Sequence, residues 1–218
     1  MVHQLLDSIS EANLDKEAIV DKQMRLTYRQ AQREVHRVAS ALVRAGVQKG
    51  DRIAISMPNW HEIILLYFAL SKIGAIAVPF NPKFGHYEVE HILNNAEPKL
   101  LFACEELVNR IGMADLTKLV PKVYTVRFEQ EGFESFEQFK ASGDPDEALP
   151  KVEIDPVEDL FCILYTSGTT GVPKGVMVTQ KGITLSGINI AKDLRCVEND
   201  VFLLPAPLYH IFGMACNL

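Results

Sequence analysis

Little in this sequence suits the outside of a cell. Its four cysteines, Cys104, Cys162, Cys196 and Cys216, lie far apart and form no C-x-x-C pair. That argues against a disulfide framework or a zinc knuckle and for buried thiols in a reducing compartment. The N-terminus, MVHQLLDSISEANLDKE, has neither a basic start nor a long apolar stretch, so no secretory leader is read there and a cytoplasmic location is expected. Clustered positive charge is missing too: 22 Lys and Arg stand against 28 Asp and Glu, a net −6, and nucleic acid is not an expected partner. The most apolar window, Ile63 to Phe80, is interrupted by Lys72 and Gly74 and falls short of the about 20 residues of a bilayer-spanning helix. An integral membrane segment is therefore not expected. Trp60–His61, His86 and His91 have no companions at ligand spacing, so no protein-held metal is read. Glu88 and Glu90 read as a solvated helix face, and Lys72 as a charge that snorkels beside an apolar stripe.

What is present is an ordinary globular composition, 48% hydrophobic and 23% charged over 218 residues, a length that fits one large domain or one domain plus a fragment. Thr27 and Gln30 have the form of a capping box before apolar positions at helical spacing, Ala31, Val35, Val38, Leu42 and Ala45, with Gly46 as the stop. Arg52–Met57 reads as a buried strand. A helix capped by Asn59 should run to Ile73, and Ala75–Phe80 returns as a strand. Helices near 87–95 and 105–119 alternate with strands at 99–104 and 123–126. This order predicts an α/β fold of mainly parallel sheets flanked by helices. Residues 129–150, acidic and carrying Gly132, Gly143, Pro145 and Pro150, read as an internal connecting segment with a weak helical patch at Phe136–Phe139. Strands follow at 160–165, 175–178 and 201–204, with a helix at about 180–194. The last residues, IFGMACNL, are apolar and carry no stop signal, so residues 1–218 are expected to be cut short within a domain.

Chemistry concentrates in Tyr165-Thr166-Ser167-Gly168-Thr169-Thr170-Gly171-Val172-Pro173-Lys174-Gly175, between two apolar strands. Glycines let backbone N–H groups converge on phosphate oxygens, hydroxyls add donors, and Lys174 adds a mobile positive charge. A polyphosphate suits such a loop. It is not the Walker pattern, because Lys174 is followed by glycine where Ser or Thr is required. The plain alternative is a hydrophilic hairpin, since Gly and Thr are common in turns. A second stretch, Pro205-Ala206-Pro207-Leu208-Tyr209-His210-Ile211-Phe212-Gly213, follows the expected 201–204 strand, at the strand end where α/β sheets collect ligands. A histidine packed at a strand end is its plain alternative. Cys162, inside an apolar strand, reads as buried rather than nucleophilic.

The 165–175 string resembles the phosphate-loop signature of the adenylate-forming superfamily of acyl-CoA synthetases, luciferases and peptide-synthetase adenylation domains. Leu70-Ser71-Lys72-Ile73-Gly74-Ala75 with Pro79 and Asn81-Pro82, and Lys49-Gly50-Asp51-Arg52, resemble further motifs of that family. The Pro-Leu-Tyr-His-x-Phe-Gly run is most similar to acyl-CoA synthetases. The resemblance implies ATP-dependent activation of a carboxylic acid, fatty or aryl, to an acyl-adenylate, and then a thioester with coenzyme A. It implies ATP and Mg²⁺, with Thr166, Ser167, Gly168, Thr169, Thr170, Gly171 and Lys174 holding the phosphates. His210 is carried over as a catalytic and substrate-binding residue, and Phe212 as substrate-binding. The family's aromatic-Gly-x-Thr-Glu segment, its ribose-holding aspartate and its C-terminal lysine belong further on than residue 218. The fragment alone is therefore expected to be inactive. The leading alternative is a phosphate- or nucleotide-binding module without ligase activity.

Overall fold

The structure, a computed structural model, describes residues 1–166 and 172–217. A short helix α1 (Val2–Asp7) and a 3-10 turn (Glu11–Asn13) lead into the hairpin β1 (Glu17–Val20) and β2 (Arg25–Thr27). Helix α2 (Tyr28–Arg44) begins where the sequence indicates: Thr27 Oγ1 accepts the Gln30 N–H at 3.2 Å and Gln30 Oε1 accepts the Thr27 N–H at 2.9 Å. Next come β3 (Arg52–Ser56), α3 (His61–Ile73), β4 (Ile76–Pro79), α4 (His86–Ala96) and β5 (Leu100–Cys104). They are followed by α5 (Glu105–Ile111), α6 (Met113–Leu119), β6 (Lys122–Val126) and α7 (Phe136–Ala141). The hairpin β7 (Leu160–Thr166) and β8 (Lys174–Thr179), then α8 (Gln180–Asp193) and α9 (Ile211–Asn217), complete the described chain.

Six strands form one sheet in the order β6-β5-β3-β4-β7-β8. Pairing is parallel from β6 through β7, and β8 alone runs antiparallel, against β7. This is the mainly parallel α/β architecture that the alternation of elements predicts. Strand β5 is buried along its whole length and β3 at four of five positions, because a parallel sheet must be covered on both faces. Helices α1, α2, α3, α7 and α8 pack on one another in one group, and α4, α5 and α6 in another. Helix α3 is buried at nearly every residue, including Ile63, Leu65, Leu66, Tyr67 and Leu70. At roughly 1.5–3 kcal/mol for each large apolar side chain removed from water, this one helix contributes a large share of the burial. No helix among the described residues is long and apolar enough to cross a membrane.

Three local readings differ from the structure. The expected helix over 105–119 is two helices, since Gly112 takes φ +89° between α5 and α6, a conformation open to glycine and costly for other residues. Asn59 does not cap α3, whose N-cap is Trp60; its amide is used elsewhere, as described below. Residues 201–204 form no strand: Val201 is 96% and Leu203 89% exposed. A strand exists by pairing, and no described segment runs alongside these residues. Residues 129–150 contain α7, whose Phe139 packs 5.1 Å from Phe102 and 4.7 Å from Tyr124, centroid to centroid. Its acidic end lies along α2, where Arg33 makes two 3.0 Å bonds to Asp146 and Glu147 accepts from Ser40 and Arg44.

One buried ionic cluster ties the β1–β2 turn to the sheet. The Arg127 guanidinium, at the end of β6, bonds both Glu62 oxygens at 2.7 Å, also bonds Asp21, and lies 4.5 Å from the Trp60 ring centroid. Arg127 takes φ +63°, costing about 1–2 kcal/mol, which these contacts offset. Burial alone would raise the Asp21 pKa, but hydrogen bonds from Arg127 and His61 hold it well below the usual carboxylate range. A depressed carboxylate pKa stabilises the fold above the unfolded value of about 3.9, and that contribution is lost as pH falls toward the folded pKa. Asp21→Asn is accordingly expected to cost about 2–4 kcal/mol at neutral pH, since Glu62 still partners the arginine. In urea titrations the gap between the variant and the parent should close as the pH is lowered through the acid range. A gap that is negligible at pH 7 would refute this account.

Candidate functional site

The phosphate-loop candidate is the connection between β7 and β8. Because β7 runs parallel to β4, its last residue, Thr166, lies at the carboxyl end of the sheet, where the loops of α/β folds gather ligands. Cross-strand register sets Thr166 opposite Lys174 and Tyr165 opposite Gly175. Directly opposed residues of an antiparallel pair share a face, so a hydroxyl and an ammonium stand together at the rim, both exposed. The structure therefore brings Thr166 and Lys174 together. Ser167, Gly168, Thr169, Thr170 and Gly171 lie outside the described residues.

The hairpin stem is shaped by a missing side chain. A Cβ on Gly175 would stand 2.9 Å from Ile163 Cγ2 and 3.2 Å from Tyr165 Cζ, closer than carbon atoms pack. The absent side chain leaves room for the Tyr165 ring to lean across β8. The Tyr165 hydroxyl then donates to Asn95 Oδ1 at 2.6 Å, and from the same helix His91 Nε2 donates to the Pro173 carbonyl at 2.8 Å. A carbonyl only accepts, so the hydrogen resides on Nε2. The His91 ring meets Tyr165 edge-on at 6.3 Å and stacks on Tyr87 at 6.5 Å. The sequence offers only the four-residue spacing of His91 and Asn95, which marks one helix face. Their partners are 82 and 70 residues away, which is why His91 looks isolated in the sequence.

The second candidate stretch is strapped to the start of α3 rather than carried on a strand. The Asn59 side chain donates to the carbonyls of Leu204 (3.3 Å) and Ala206 (2.8 Å) and accepts from Leu208 N–H at 2.8 Å. The Tyr67 hydroxyl, fully buried, donates to the Leu208 carbonyl at 2.9 Å. This turn leads into α9, where His210 is exposed and its Nδ1 accepts the Phe212 N–H at 3.3 Å. The structure thus brings His210 and Phe212 together at the head of α9, with Phe212 62% exposed. Among the described residues no hydrogen bond joins this pair to Thr166 or Lys174. The two stretches are linked through β7, since Cys162 Sγ lies 3.8 Å from Met214 Sδ in α9. Burial pushes the Cys162 thiol pKa far up, which leaves it protonated and unsuited to nucleophilic attack.

Asp21, His61 and Glu62 converge closely enough to resemble a metal-ligand set. The Arg127 guanidinium already supplies the positive charge at that place, bonding both carboxylates and lying 2.9 Å from His61 Nδ1. A metal ion would have to displace it, so the cluster is an ion-paired brace.

Comparison with known proteins shows the family and the fold. The sequence model described as AMP-binding enzyme matches residues 6–218. The long-chain-fatty-acid–CoA ligase FadD13 of Mycobacterium tuberculosis is 34% identical over 191 residues, covering 88% of this chain and 37% of its own length. A long-chain-fatty-acid–CoA ligase (FadD1) from Archaeoglobus fulgidus superposes with a TM-score of 0.85 at 27% identity, covering 98% of this chain and 44% of that one. An anthranilate CoA ligase, AuaEII, solved in complex with anthranoyl-AMP, gives a TM-score of 0.76 at 25% identity over 85% of this chain and 36% of its own. The chain spans 37–43% of the length of the first curated relatives it matches.

Gly175→Val should force the Tyr165 ring and Ile163 aside and cost about 1–3 kcal/mol in chemical denaturation. Fluorescence or NMR of Tyr165 should report its displacement. An undisturbed ring in a variant of parental stability would show that the close approach is unimportant.

Proposed function

We propose that this chain, which belongs to the AMP-binding enzyme family, supplies the phosphate-handling part of a ligase that activates a carboxylic acid with ATP and passes the acyl group to coenzyme A. The observation that carries this reading is the pairing of Thr166 and Lys174 at the carboxyl end of the sheet, across a loop whose sequence is Ser-Gly-Thr-Thr-Gly. Acyl-CoA ligases among the relatives, and a neighbour solved with an acyl-AMP, support the reaction type. A fatty or aryl acid is the proposed substrate class, supported by the same names.

In the first half-reaction a carboxylate oxygen attacks the α-phosphorus of ATP and pyrophosphate leaves, giving an acyl-adenylate. Two like charges 4 Å apart cost about 4 kcal/mol at an effective dielectric near 20, so positive charge must offset the approach. Lys174, with the hydroxyls of Thr166, Ser167, Thr169 and Thr170 and the amides around Gly168 and Gly171, would hold the β and γ phosphates as the bond breaks. From Thr166 to Gly175 the sequence has no Asp or Glu. The loop is therefore suited to the anionic oxygens, and Mg²⁺ would be held through the triphosphate, where it neutralises charge. In the second half-reaction the thiolate of coenzyme A attacks the acyl carbonyl and AMP departs. His210 and Phe212 are proposed to border the carboxylate, supported by the turn that Asn59 and Tyr67 hold beside the start of α3. Cytoplasm is the proposed compartment, in keeping with four free thiols.

The test is isotopic ATP–pyrophosphate exchange driven by a panel of carboxylic acids, using the full-length product of the reading frame and the 218-residue chain in parallel. The full-length protein should exchange with one acid class, and Lys174→Ala should lower its rate by about 10²–10³-fold. The chain alone should show little or none. Silence from folded full-length protein across the panel would favour a nucleotide-binding module instead.

A further inference from the structure

The β7–β8 hairpin occupies the edge of the sheet, so among the described residues β8 has one strand neighbour and its outer side has none. Its far end is anchored inside the protein: the Gln180 N–H donates to the Asp159 carbonyl at 3.0 Å, and buried Gln180 Oε1 accepts from Ser71 Oγ (2.9 Å) and Val2 N–H (3.3 Å). The other end of the hairpin stem is set by the Thr166–Lys174 pair. What meets it is one face of α4. His91 holds the carbonyl of Pro173, the residue just before Lys174, and Asn95 holds the hydroxyl of Tyr165, the residue just before Thr166. Each stem of the loop is thus gripped one residue from the group expected to meet phosphate. Both grips come from side chains four residues apart on one rigid helix, and α4 also packs on α6.

We propose that α4 is a two-point clamp on the phosphate loop, with His91 and Asn95 as positioning residues that fix the spacing of Thr166 and Lys174 for a polyphosphate. Neither residue touches the phosphates. The clamp restricts the open hairpin to one arrangement before ligand arrives, so less ordering remains to be done on binding. His91 is half-buried and Asn95 exposed, so water competes for both bonds and each contributes modestly. This assignment rests on the phosphate-loop reading above.

Backbone hydrogen exchange on the 218-residue chain tests the clamp without any ligand, which separates its failure from a failure of the adenylation reading. His91→Ala should speed exchange at Lys174–Val176, and Asn95→Ala at Thr166, by about fivefold, while amides of α4 itself keep their rates. His91→Gln, whose side-chain amide can reach the same carbonyl, should restore the slow exchange. Asn95→Ala combined with Tyr165→Phe should be no worse than the more severe single variant, because both remove one bond. In ATP–pyrophosphate exchange by the full-length product, His91→Ala should raise the KM for pyrophosphate about fivefold with kcat nearly unchanged, and His91→Gln should reverse it. Unchanged hairpin exchange in both alanine variants overturns the clamp. Faster hairpin exchange with an unchanged KM overturns its positioning role. A full-length protein with no exchange activity refutes the adenylation reading, and the hydrogen-exchange comparison still decides whether α4 grips the hairpin.

Discussion

The rest of this structure depends on a parallel sheet whose central strands have no face turned to water. Strands β3 and β5 are buried almost throughout, and α3 is buried on nearly all sides between the sheet and its neighbouring helices. Parallel pairing requires each strand to return from the far end through a crossover, so all the strand-to-helix loops of this kind emerge on one side. That single constraint gathers the start of α3, the end of β6 and the end of β7 at the carboxyl edge. The candidate chemistry is there because the backbone has nowhere else to leave the sheet.

The change of direction at β8 is what turns a strand end into the hairpin that carries the proposed phosphate site. A short antiparallel return sets Thr166 against Lys174 in register, which a crossover helix could not do. The cost is an edge strand with little behind it, and Val176 and Met177 are 48% and 69% exposed. The buried Gln180 at one end and the α4 side chains at the other offset that looseness. The glycine at 175 gives Tyr165 the room it needs to reach Asn95.

Charge is handled in two different ways. Exposed arginines of α2 meet the acidic 144–147 segment in pairs that each contribute little in water. The Arg127 cluster is buried, and there the desolvation cost makes complete pairing obligatory. Arg127 serves two carboxylates from different parts of the chain and accepts a left-handed backbone to do so. It connects the N-terminal hairpin to the outermost strand of the sheet, a link that no hydrophobic contact specifies so narrowly.

Much of this was legible in the sequence. The strand and helix order, the Thr27–Gln30 cap and the parallel sheet follow from periodicity and local capping chemistry, which act over a few residues. The loop at 165–175 stands out as a phosphate-site candidate through residue types alone, and the family resemblance suggests the reaction proposed for it. The sequence by itself could not show that 201–204, apolar and β-prone, lacks a strand to pair with, because pairing is a long-range event. Nor could it reveal that Asn59 straps Leu204–Leu208 instead of capping a helix, or that Gly112 divides one periodic run into two. The apparently solitary His91 and the unremarkable Arg127 acquired their roles only from tertiary structure. Each acts through a partner at least sixty residues away, and only folding sets such distances.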